Sequence, residues 1–128
     1  MAHLLLIDDD ELFRPMLSEN LEQLGHTVTE ARNGKEGLAR YANAPADLVL
    51  TDLIMPEKEG IETIMELRKR WPEVKIIAMS GGGRVAASSY LNTAQKLGAG
   101  CILTKPFSND ELVAAINKML PVKESAAG

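Results

Sequence analysis

The sequence predicts an α/β domain whose parallel sheet is covered by helices on both faces, and three observations carry that prediction. Short apolar runs alternate with segments whose apolar residues recur at helical spacing, five times along the chain. The first run, Leu4-Leu5-Leu6-Ile7, is continuous instead of alternating, as expected of a strand buried on both faces. Five βα units in succession need crossover connections, and these are right-handed in nearly all proteins. The 128 residues suffice for one domain with one sheet.

In order, His3–Ile7 is the first strand. Glu11–Leu24 follows as a helix with Leu12, Phe13, Met16, Leu17, Leu21 and Leu24 on one face. Pro15 sits in its opening turn, where a missing N–H is tolerated, and Gly25 is placed to end it. Thr27–Ala31 is a second strand and Lys35–Ala42 a second helix. Asp47–Thr51 makes the third strand, followed by Asp52 and a loop through Pro56. Ile61–Arg70 is a helix with Ile61, Ile64, Met65 and Leu67 facing inward, and Trp71 is a half-buried anchor ahead of Pro72. Val74–Met79 is the fourth strand, Ala86–Leu97 a rather polar helix, and Cys101–Thr104 the fifth strand. The last helix, Asn109–Leu120, opens with Ser108 and Glu111 at capping-box spacing. It carries the stripe Leu112, Val113, Ile116, Met119 and Leu120, and Pro121 stops it. Residues 1–121 read as the domain and 122–128 as a disordered tail.

Composition excludes several classes of function. A hydrophobic content of 45% with 25% charged residues is that of an ordinary soluble globular protein. A net charge of −4 with both signs interspersed speaks against a nucleic-acid surface, which needs a concentrated basic patch. No apolar run is long enough to span a bilayer, the N-terminus lacks an export signature, and a single cysteine that cannot form an internal disulfide makes a reducing cytoplasm the expected location. The lone Cys101 cannot form an internal disulfide and is read as a small buried hydrophobe. His3 and His26 have no partners at ligand spacing and are read as structural.

Chemistry is expected where the strands end, because parallel sheets bind ligands outside the carboxyl ends of their strands, at the point where strand order reverses. Asp8-Asp9-Asp10 follows the first strand, Asp52 the third, Ser80 the fourth and Lys105 the fifth, so all meet on one edge. Neighbouring carboxylates about 4 Å apart repel by about 4 kcal/mol per pair at an effective dielectric near 20, so the three acids either form a solvated turn leading into a helix or hold a cation between some of them. Carboxylates without histidine or cysteine suit a hard cation, and Mg2+ fits best because it leaves room for water and phosphate. One carboxylate can then act as a nucleophile toward phosphorus, with Lys105 supplying a point charge and Ser80 a hydroxyl.

The segments "LLLIDDD", "TDLIMPEKEG", "AMSGGG" and "LTKPF" together resemble the receiver domain of bacterial two-component response regulators, over about residues 3–120. The resemblance implies a flavodoxin-like (βα)5 fold with strand order 2-1-3-4-5. It implies Asp52 as the phosphoacceptor, and Mg2+ held by Asp8, Asp9, Asp52 and the backbone carbonyl of Ile54, with Asp8 acting through water. Ser80 would be the switch hydroxyl, and Lys105 would pair with the phosphoryl group. Lys105-Pro106 matches a bond that is commonly cis. Asp10, one step past the acidic pair, is expected in solvent at a helix start. The implied partners are a histidine kinase or histidine phosphotransfer protein and an unidentified protein target, with neither nucleic acid nor membrane, and a monomer is expected. Such a protein is no enzyme beyond its own phosphorylation and dephosphorylation.

Two departures mark the sequence: Ile102 where the family often has an aromatic switch residue, and the Gly81-Gly82-Gly83-Arg84 loop. Three other readings remain. A receiver-like module could bind partners without being phosphorylated. A haloacid-dehalogenase-like phosphatase would use Asp8 and Asp10 as its D-x-D, although Glu11-Leu12-Phe13 follows where such enzymes carry Gly or Thr. A flavin carrier of the same fold class would meet three acids where its phosphate should sit.

Overall fold

The computed structural model describes residues 2–53, 59–81, 96 and 98–120. Its elements are β1 (His3–Ile7), α1 (Phe13–Gln23), β2 (Thr27–Ala31), α2 (Gly34–Asn43), β3 (Leu48–Asp52), α3 (Glu59–Arg70), β4 (Ile76–Gly81), β5 (Cys101–Lys105) and α4 (Asn109–Met119). All five strands are parallel, in the order β2-β1-β3-β4-β5. The expected helix Ala86–Leu97, the Gly82-Gly83-Arg84 loop, Ile54 and the tail lie outside the described residues, Lys96 alone excepted.

The continuous apolar runs bury both faces of the sheet, as their lack of alternation requires. Leu5, Ile7, Val49, Ile76 and Ala78 point to one side and pack on Tyr41 of α2 and on Ile64 and Leu67 of α3. Leu4, Leu6, Leu48, Leu50, Ile77 and Met79 point to the other and pack on Leu17 and Leu21 of α1 and on Leu112 and Ile116 of α4. Helices α1 and α3, which leave the neighbouring strands β1 and β3, therefore diverge to opposite faces. Strand order reverses between β1 and β3, and in such sheets that is where a crevice forms at the carboxyl ends.

Helix α1 follows the expected period with a different phase. Leu12 and Met16, expected inside, are 85% and 60% exposed, while Arg14, Leu17, Ser18 and Leu21 are buried. The helix begins at Phe13, so Leu12 lies before its first turn, and the sheet-facing row runs through 14, 17, 18 and 21. Leu24 also faces solvent, and Met65 of α3 is half exposed beside the buried Ile64 and Leu67. Gly25 does end α1. With φ 102° it accepts the left-handed conformation, and its N–H reaches Glu22 O while His26 N–H reaches Leu21 O, the paired bonds of a Schellman cap. Trp71 packs on Tyr41 with the rings tilted by 55° and their centroids 4.7 Å apart, the half-buried anchor its position suggested. Cys101 is half-buried at the rim of the second core, less enclosed than expected. His3 and His26 serve local bonds, to Thr29 Oγ1 (2.8 Å) and from the Ala2 N–H (3.3 Å).

Candidate functional site

Register brings the acids together. Ile7 of β1 lies opposite Thr51 of β3, so Asp8 and Asp52 reach the same edge side by side. Asp8 is fully buried, Asp52 nearly so, and Asp9 is exposed at the mouth of the crevice. Carboxylate oxygens of Asp8, Asp9 and Asp52 lie within 4.8 Å of one another. Lys105, the last residue of β5, crosses to this cluster: Nζ is 2.8 Å from Asp8 Oδ2 and 3.6 Å from Asp52 Oδ1. The peptide bond that follows, Lys105-Pro106, is cis.

Charge is unevenly compensated across the cluster. The ammonium bridges the two buried carboxylates, and among the described residues no ion pair reaches Asp9. Loss of water against the pocket wall, and then the charge of Asp8, push the Asp9 carboxyl above its ordinary pKa. A bound divalent cation would outweigh both effects by favouring the ionised carboxylate. The donor set is all oxygen, with neither histidine nor thiolate, and it converges tightly enough for one hard ion, so the residues fit Mg2+.

Asp10 is turned away from the cluster. Its Oδ1 accepts the N–H groups of Leu12 and Phe13, both at 2.9 Å, which caps the start of α1. Those bonds hold its carboxyl below the ordinary value, the Phe13 bond contributing most. Strand β4 runs two residues past its expected end, so Ser80 lies within it, level with Thr104 of β5. The Ser80 hydroxyl is fully buried and has no hydrogen-bond partner among the described residues. A buried hydroxyl without a partner is costly unless something else engages it.

The response regulator receiver domain model matches residues 4–117. The chain belongs to that family. The receiver domain is similar to the chemotaxis protein CheY of Thermotoga maritima, 37% identical over 116 residues, which span 90% of this chain and 94% of that one. It is also 35% identical to the transcriptional regulator NtrC of Azospirillum brasilense, covering 93% of this chain but 24% of that much longer protein. Among solved structures it resembles the response regulator TrrA of Thermotoga maritima in complex with Mg(2+)-BeF, with a TM-score of 0.81 and 32% identity over 94% of this chain and all of that one. Receiver domains are signalling modules of two-component systems, not conventional enzymes, and they interact with histidine kinases and downstream targets.

Three contributors to this receiver site escape the sequence reading. Arg14, buried on the sheet side of α1, donates from Nη1 to the Asp8 carbonyl (2.9 Å) and pairs with Glu11 (2.7 Å) and Glu30 (3.0 Å). An arginine interrupting an apolar helix face was its only signal. Gly60 lets α3 approach the end of β3, since a Cβ there would lie 2.3 Å from the Asp52 carbonyl oxygen and 2.5 Å from Leu53 Cα. A glycine within a helical pattern marks such close approaches. Phe13, assigned to the core, sets its ring 4.1 Å from Lys105 Nζ.

Proposed function

We propose that residues 1–121 form a phosphoacceptor receiver domain, in which Asp52 takes a phosphoryl group from a phosphohistidine of a partner kinase or phosphotransfer protein. The observation that carries this reading is the cluster of Asp8, Asp9 and Asp52 oxygens with the Lys105 ammonium spanning Asp8 and Asp52. An Asp52 carboxylate oxygen attacks phosphorus and forms the new O–P bond. The P–N bond to the imidazole breaks, and the ring nitrogen keeps the electron pair.

Asp8, Asp9, Asp52 and, by correspondence with the family, the Ile54 carbonyl would hold Mg2+. When bound, Mg2+ neutralises charge on the transferring group. The complex of TrrA with Mg(2+)-BeF supports the same cation here. Lys105 needs only a short reach from Asp8 to meet an oxygen of a phosphoryl group on Asp52. Ser80, whose buried hydroxyl has no partner among the described residues, would donate a hydrogen bond to another oxygen of that group. The added charge would pull Ser80 inward and so alter the surface that a protein target reads. The same reading puts the protein in the cytoplasm as a monomer.

Asp10 weighs against the D-x-D phosphatase reading, because its carboxylate is committed to the helix start. The test is to incubate the protein with acetyl phosphate or phosphoramidate, with and without Mg2+, and weigh it. One phosphoryl group is expected with Mg2+, and none without the metal or in Asp52→Asn. A wild-type protein that takes up no phosphate from either donor would instead be a binding-only module.

A further inference from the structure

Lys105 has a third neighbour, and it comes from an element with no assigned part in the chemistry. The Phe13 ring, on the first residue of α1, lies 4.1 Å from Lys105 Nζ, close enough for the negative π face to attract the ammonium. The ring is held from two sides. Its backbone N–H is fixed by Asp10 Oδ1, and Phe107 meets it edge-on at 89° with centroids 6.1 Å apart. Both aromatic rings are half-buried and pack against the rim of the second core.

We infer that Phe13 is a positioning residue for Lys105, an aromatic platform that keeps the ammonium over the acidic pocket while its carboxylate partner changes. The inference rests on the phosphoacceptor reading and deepens it. A carboxylate is a directional partner, and an ammonium that moves from Asp8 toward a phosphoryl oxygen on Asp52 loses that bond. The π face attracts a cation over its whole area, so the same movement keeps the Phe13 contact. Asp10 and Phe107 then act on Lys105 through the ring: one sets where its backbone starts, the other how the ring is turned.

The test uses the full chain with three replacements at position 13: Phe13→Leu, Phe13→Tyr, and 3,4,5-trifluorophenylalanine, which keeps the shape but weakens the π face. Without any phosphodonor, NMR should show the Lys105 ε-methylene protons shifted upfield by the ring in wild type and Phe13→Tyr, and unshifted in Phe13→Leu. With acetyl phosphate and saturating Mg2+, Phe13→Tyr should phosphorylate at the wild-type rate. The trifluoro protein should be slower by about 5-fold and Phe13→Leu by about 10-fold, within the range a cation–π contact allows. A trifluoro protein as fast as wild type, or an absent ring shift in wild type, overturns the inference. If wild type takes up no phosphate, the phosphoacceptor reading fails, whereas the ring shift still decides the contact.

Discussion

At the scale of single residues, three consecutive acids have three different fates, set by what each carboxylate meets. Asp8 is buried against Lys105, Asp9 lines the mouth of the pocket, and Asp10 caps α1. Asp10 has a folded pKa below its unfolded one, so its stabilising effect is present above the unfolded value and is lost as pH falls through the folded one. Asp10→Ala should therefore lower Tm at pH 7 by more than it does in acid. Asp10→Asn, also a good cap, should lower it little and without pH dependence. Asp9 has the opposite sign. Its folded pKa is raised, so its contribution is most favourable at low pH and is lost as pH rises through that value. Without divalent metal, Asp9→Asn should raise Tm at pH 7, and a fall there would contradict the repulsion inferred for the cluster. Leu12 and Met16 show what the residue pattern leaves open: apolar residues need not lie inside, and replacing either with Ser should change stability by no more than about 0.5 kcal/mol.

At the scale of elements, boundaries follow local chemistry closely where a cap or a breaker is present. The capping box at Ser108 and Glu111 forms as spaced, with Glu111 N–H to Ser108 Oγ at 3.0 Å and Ser108 N–H to Glu111 Oε1 at 2.8 Å. Ser108→Ala should cost about 1 kcal/mol by denaturant unfolding. Where packing decides, the sequence is less informative. The period of α1 was legible in Leu17 and Leu21, but its inward row also includes the polar Arg14 and Ser18, and Arg14 is held there by the Asp8 carbonyl after β1, by Glu30 of β2 and by Glu11 just before α1. Strand β4 ends at Gly81, past the last apolar residue, because its partner β5 continues to Lys105. Two helical glycines separate the effects of propensity and space. Gly37→Ala meets the side chain of the buried Ile7, whereas Gly60→Ala meets the backbone of Asp52 and Leu53, which has less room to give. Gly60→Ala should cost about 2 kcal/mol or more despite a better helix former, and should cost more than Gly37→Ala.

At the scale of the whole molecule, the sheet assembles one pocket from three strand ends that lie far apart in sequence. A ligand that binds only the folded state raises stability by RT ln(1 + [L]/Kd), about 2.7 kcal/mol at a hundredfold excess over Kd. Mg2+ should therefore raise Tm in wild type, and the rise should be largely lost in Asp9→Asn and Asp52→Asn. An equal rise in all three would place the metal elsewhere. By itself the sequence determined the parallel α/β architecture, since continuous apolar runs separated by helical periods have no other good way to bury both strand faces. It also determined which residues meet at the strand ends, because those positions follow from element order alone. Only the tertiary structure decided how deeply each acid is buried, which N–H groups Asp10 caps, that Lys105 rests nearer Asp8 than Asp52, and that Phe13 and Arg14 brace the site from α1. Those are distances between side chains from different elements, and a linear pattern carries the period of each element but not the rotation and depth at which it packs against the next.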